Sequence, residues 1–349
     1  MRSSVARWLS ISCDELSQYF DWKFRLILAS LIYGTYLFFL NPALTESFNA
    51  ESIDFYLALA KTPYSPQTQF YAESVLFAWL AFLIGASQSL LYYKIFCSFC
   101  ALLILPTIAY FAIKYFEDAW RSWLFTLLFA VTYRYLWRIY YLGFPDPLTI
   151  IFLAAIAFQR HVLIVFVCTV LAAVSHFSMT LVSLAIFMAC SCVAPKLQQR
   201  SRVAIFIWVI SGLILGRLLL ELWFYRFNYK LQSRLDWMLE YGLPAFTTRY
   251  EVDILRFWQT PGWSFLFFYL IMLLWFISRR HFYYSCAMVI ALALGYLALF
   301  LTVDGLRVFA VVMIAPYVFM LRNLVDDLFS FISATQNSAS ASTYSADKS

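Results

Sequence analysis

Ten apolar runs follow one another along this chain, and the breaks between them are mostly short and basic. The runs are Phe24–Leu40, Leu91–Ile113, Trp120–Tyr141, Leu148–Phe158, Val162–Ser175, Met179–Ala194, Val203–Phe224, Pro261–Ile277, Phe282–Val303 and Leu306–Leu321. A water-soluble core cannot absorb that pattern. Soluble domains are roughly 45–50% apolar and about 25% charged, whereas this chain is 63% hydrophobic and 13% charged. Lipid must therefore solvate most of its side chains. The expected fold is all-α, a polytopic transmembrane helical bundle of about ten spans. The 12 Trp, 24 Tyr and 36 Phe suit a protein with many helix ends at the membrane interface, where amphipathic rings settle.

An eleventh apolar stretch, Ser74–Ile84, is short. Crossing the hydrocarbon takes roughly 20 helical residues, so this one is expected to be an interfacial or re-entrant helix in the first external loop. Charge placement supports that reading. With the N-terminus inside and Ser74–Ile84 not crossing, five basic groups fall on the cytoplasmic side. They are Lys114 with Arg121, Arg160, Lys196 with Arg200 and Arg202, Arg279 with Arg280, and Arg322, as the positive-inside tendency requires. An additional crossing would put Lys196–Arg202 and Arg279–Arg280 outside. Both termini are then cytoplasmic, with a bacterial inner membrane as the expected location. Residues 1–333 form one transmembrane domain, with external loops at 41–89 and 225–260. Residues 334–349, rich in Ser, Ala and Thr, read as a disordered cytoplasmic tail. The N-terminus lacks a cleavable signal pattern. The net charge of +6 is explained by these inside clusters and needs no nucleic-acid partner. Cys97-x-x-Cys100 lies inside an apolar run with no second pair or nearby His, which favours packing over redox or metal chemistry.

Chemistry is expected on the external side. In the first loop Asp54 shares a helical period with Tyr56, Leu57 and Ala60, with Lys61 following and Glu73 further on. The bland reading is a solvated loop; the sharper one is a carboxylate held at the bilayer surface as a general base. At Pro145-Asp146-Pro147, Asp146 either caps a helix with Pro147 at its first position or stands as a fixed charge at a membrane mouth. At Asp304-Gly-Leu-Arg307 the two charges either neutralise each other or leave Arg307 to bind phosphate with its planar fork. His176 belongs with these charged residues at membrane depth. Arg217 and Glu221, spaced i, i+4, read as a self-neutralising pair. The loop 225–260 reads as a solvated cap or as a lid.

The layout Asp54-Phe-Tyr56 followed by Phe70-Tyr-Ala-Glu73-Ser-Val-Leu-Phe-Ala-Trp79 and a Gly85-ended interfacial helix resembles the GT-C superfamily of membrane glycosyltransferases. Protein O-mannosyltransferases and lipid A aminoarabinose transferases are examples. The acidic turn at Asp146 sits where those enzymes often carry a further external Asp. The likeness spans roughly residues 1–194. It implies an inverting transfer from a polyprenyl-phosphate-linked sugar donor to an external acceptor that is a glycan, lipid or protein. Asp54 would be catalytic, with Asp146 supporting. Lys61 and Arg307 would face the lipid phosphate, and Tyr56, Glu73, His176 and Asp304 would complete the substrate site. The chain departs from the family in lacking the basic element many relatives carry near Ala72–Val75, and in lacking a large C-terminal soluble domain. No spacing demands a metal or cofactor, although Asp54 and Asp146 could together take a divalent cation. Two other readings use the same composition. A polysaccharide polymerase or ligase would work on the same face. A transporter or flippase would need a polar path that the sequence offers only at Lys94, His176, Arg217 and Glu221.

Overall fold

The computed structural model describes residues 21–40, 51–64, 74–133, 144–159, 161–193, 199–229, 243–250, 262–299 and 305–346, together with positions 236, 239 and 240. Every described element is helical. The chain opens with α1 (Trp22–Phe39), α2 (Glu51–Lys61) and α3 (Val75–Leu83), followed by a 3-10 turn at Ala86–Gln88. Next come α4 (Leu90–Leu102), α5 (Ile104–Phe116), α6 (Ala119–Thr132), α7 (Asp146–Phe158), α8 (Val162–Ser175) and α9 (Phe177–Val193). The rest is α10 (Gln199–Arg226), α11 (Leu243–Tyr250), α12 (Trp263–Ser278), α13 (Phe282–Leu299), α14 (Gly305–Val312) and α15 (Ile314–Ala346). Among the described residues, three stretches are long and apolar enough to cross a membrane: Leu90–Phe116, Val203–Arg226 and Phe282–Leu299. Asp146–Phe158, Val162–Ser175, Phe177–Val193 and Trp263–Ser278 are shorter apolar helices. Large apolar side chains on outer faces, such as Phe39, Leu91, Leu222 and Phe267, are more than half exposed, a surface suited to lipid rather than water. The protein is a helical membrane protein.

Proline shapes two of these helices. Leu90–Phe116 is interrupted at Leu103 and the tenth apolar run at Met313. Each break lies three residues before a proline, Pro106 and Pro316. A proline has no N–H for the carbonyl four residues back, so the carbonyls of Leu102 and Val312 lose their helical donors. The ladder resumes at the next residue, where Thr107 N–H reaches Leu103 O and Tyr317 N–H reaches Met313 O.

The core is built around α7 and the α14–α15 pair. Every side chain from Phe309 to Asn323 is buried, and α15 packs on α6, α7 and α9. Helix α10 lies against α8 along a seam of small residues. A Cβ at Gly212 would come within 2.8 Å of Thr169 Cβ, and one at Gly216 within 2.5 Å of Ala173 Cβ. The G-x-x-x-G spacing thus lets two backbones approach closely where lipid supplies little hydrophobic drive.

Helix α3 covers nine residues, roughly 13 Å at 1.5 Å per residue, too short to cross. It ends at Gly85, whose φ of 74° suits glycine. Trp79 and Phe82 of α3 meet Tyr64, and Trp79 and Tyr64 also meet Trp223 of α10. Tyr229 donates from its hydroxyl to Pro63 O at 3.3 Å, so the far end of α10 is fastened to the loop after α2. Burial raises the Tyr229 phenol pKa above its usual value.

Helix α15 runs on to Ala346, where an unordered tail from 334 was expected. An alanine-containing segment without Gly or Pro extends an existing helix at no nucleation cost.

Candidate functional site

Asp146 and Arg307 meet. Asp146 lies in the first turn of α7 and is 2% exposed; Arg307 is the third residue of α14 and is 4% exposed. One terminal guanidinium nitrogen of Arg307 donates to both carboxylate oxygens of Asp146, at 3.0 and 3.1 Å. The Phe144 ring lies against the same guanidinium, 4.0 Å from ring centroid to Cζ, a cation–π contact in a desolvated setting. Tyr56 of α2, 2% exposed, then packs on Phe144 with centroids 5.0 Å apart. A continuous column therefore runs from α2 through the turn before α7 to the buried ion pair. The N-cap of α7 is Pro145, so Asp146 is not the capping residue of the alternative reading; its carboxylate is directed to Arg307 instead.

The other candidates fall around this column unequally. Asp54 and Lys61 are exposed and seven positions apart, on one flank of α2 beside its buried face of Ile53, Tyr56, Leu57 and Ala60. Among the described residues nothing pairs with the Asp54 carboxylate. Asp54 is therefore on the helix that joins the column, but not in the column. His176 is buried at the junction of α8 and α9. The preceding Ser175 hydroxyl is 3.0 Å from that of Thr149 and 3.5 Å from Pro145 O, which ties the junction to the Asp146 turn. Glu73 and Asp304 lie outside the described residues, and with them any pairing of Asp304 to Arg307. Arg217 pairs with Glu221 as expected and also lies over the Phe177 ring at 5.2 Å.

Phe144 was not singled out in the sequence. Its signal was an aromatic residue next to the Pro-Asp-Pro turn, visible only once a partner cation was known. A second polar cluster, at the opposite end of α7, was also missed. There Asp327 of α15 accepts from Trp275 Nε1 at 2.9 Å and lies 2.8 Å from His281 Nε2, with Arg279 Nε 3.7 Å away. Asp326 faces Arg121 and Tyr115, each at 3.5 Å. Arg322 is buried and donates to Ala157 O; it belongs to the helix interior rather than to a basic loop. The adjacent acids inside a basic helix end were the available cue. Both Cys97 and Cys100 are buried in α4.

Comparison with known protein families, characterised proteins and solved structures finds no match to this chain.

Proposed function

We propose that the protein is a membrane glycosyltransferase that takes a sugar from a polyprenyl-phosphate donor and passes it to an external acceptor. The observation that carries this reading is the Tyr56–Phe144–Arg307–Asp146 column. It anchors α2, the helix bearing an exposed carboxylate that pairs with nothing among the described residues, beside a buried guanidinium at one end of the bundle. In this reading the chain crosses the bilayer ten times and that end faces outward, as the distribution of basic residues requires. Asp54 removes the proton from the acceptor hydroxyl, whose oxygen attacks the anomeric carbon. The bond from that carbon to the phosphate oxygen breaks with inversion, and the polyprenyl phosphate leaves. Lys61 and Arg307 stabilise the charge that grows on the departing phosphate. Asp146 holds the Arg307 guanidinium in orientation rather than acting on the acceptor.

The test is sugar transfer from a panel of polyprenyl-phosphate sugars in nanodiscs, with donor binding measured alongside. Asp54→Asn keeps the side chain's size and removes its basicity. Turnover should fall about 10²–10⁴-fold while donor affinity holds. Unchanged turnover in that variant ends the assignment of Asp54 as the base.

A further inference from the structure

At the opposite end of the bundle from Asp146, an apolar groove opens on the outer surface between α1 and α6. Leu26 and Tyr33 of α1, Leu105 of α5, Leu127 and Ala130 of α6 and Phe329 of α15 form its wall. It encloses about 530 Å³, within the roughly 300–1,000 Å³ of small-molecule sites. Along α6 it extends from Trp120 to Ala130, roughly 15 Å at 1.5 Å per residue. That is half of a bilayer core of about 30 Å, the depth of one leaflet.

The wall offers a ligand almost nothing polar. Its two aliphatic hydroxyls are spent on their own helices, Ser30 on Leu26 O at 2.7 Å and Thr126 on Ser122 O at 2.8 Å. The mouth is different. Trp120 and Trp123 stand there, 77% and 37% exposed, the side chains favoured at a membrane interface. The Arg121 guanidinium lies over the ring of Phe329, a wall residue, at 5.4 Å. It is about one-third exposed and only 3.5 Å from Asp326, a loose pair that leaves it accessible to a second anion. Lys23 and Arg25 in the first turn of α1 flank Leu26 at the same end.

We infer that this groove holds one alkyl chain of an anionic glycerophospholipid from the leaflet on the basic side, with its phosphate at Arg121. An apolar cleft one leaflet deep with a cation at its rim matches such a lipid in both length and charge. A second copy of the chain would present no single tail to fill a cleft of this shape, and a neutral lipid would leave the rim cation unused. The inference is independent of the transferase reading, since the groove lies at the other end of α7.

The experiment is native mass spectrometry of the full-length protein released from mixed micelles of phosphatidylglycerol and phosphatidylcholine. Wild type should retain one phosphatidylglycerol in preference to phosphatidylcholine. Arg121→Gln should reduce that preference about fivefold, the worth of one basic residue near an anionic lipid. Ala130→Trp, which fills the deep end, should abolish the adduct of either lipid. Because Ala130 is packed in the core, Leu127→Trp serves as a second filler at a site 58% exposed, where folding is not at stake. Equal retention of the two lipids by wild type overturns the inference. So does a wild-type adduct in a folded Leu127→Trp variant, or an unchanged preference in Arg121→Gln.

Discussion

Arg307 places a cation in the first turn of α14, where the unpaired N–H groups make the helix end positive and disfavour it. Asp146 in the first turn of α7 enjoys the opposite sign, and its carboxylate relieves the cost at Arg307. Removing one member leaves the other charged and buried. Asp146→Leu should therefore destabilise the protein by about 3–5 kcal/mol, read from thermal or denaturant unfolding in detergent. Coupling it with Arg307→Met should recover most of that loss, since a buried pair is replaceable by apolar side chains of similar volume. If Arg307 also contacts the donor phosphate, the doubly substituted protein folds but binds donor weakly; donor affinity equal to wild type would remove Arg307 from the site. Both residues stood out in the sequence because charge is scarce in apolar runs. The resemblance placed both at one site, but their direct pairing did not stand out, because they are 161 positions apart and Asp304, three residues from Arg307, offered a nearer partner.

Helix positions along the chain were legible from the apolar runs, whose ends agree with most helix ends to within a few residues. The interruptions were less so, although Pro106 and Pro316 were in plain view; a single missing N–H bends an apolar run without changing its hydropathy. The seam between α8 and α10 was missed for a similar reason. Gly212 and Gly216 look like ordinary small residues until a facing pair, Thr169 and Ala173, is placed against them. Gly216→Leu should force the two helices apart and cost about 1–3 kcal/mol, measured as a lowered unfolding temperature. Gly34→Ala is the control. Its added methyl would meet Leu105 Cβ at 3.8 Å, an ordinary contact, and stability should hold. Equal losses in both variants would show that backbone freedom, not the close approach, sets the cost at Gly216.

Polarity along the bundle gives the whole molecule two unlike ends, and in the proposed reading the basic one faces the cytoplasm and the other faces outward. With the exposed Cys192 and Cys286 replaced, a cysteine at Arg280 should react with an impermeant maleimide in inverted vesicles and be protected in intact cells. A cysteine at Tyr64 should do the reverse. Reaction of both from one side would break the ten-crossing order. The ion pair also constrains how the molecule is made. At about 5–20 residues per second, the 161 positions between Asp146 and Arg307 take roughly 8–30 s to synthesise. Throughout that time α7 has left the ribosome and its cation does not yet exist. A carboxylate at membrane depth is costly unaccompanied, so α7 is expected to settle fully only once Arg307 is available. The tenth apolar segment is then the one that allows the fourth to settle.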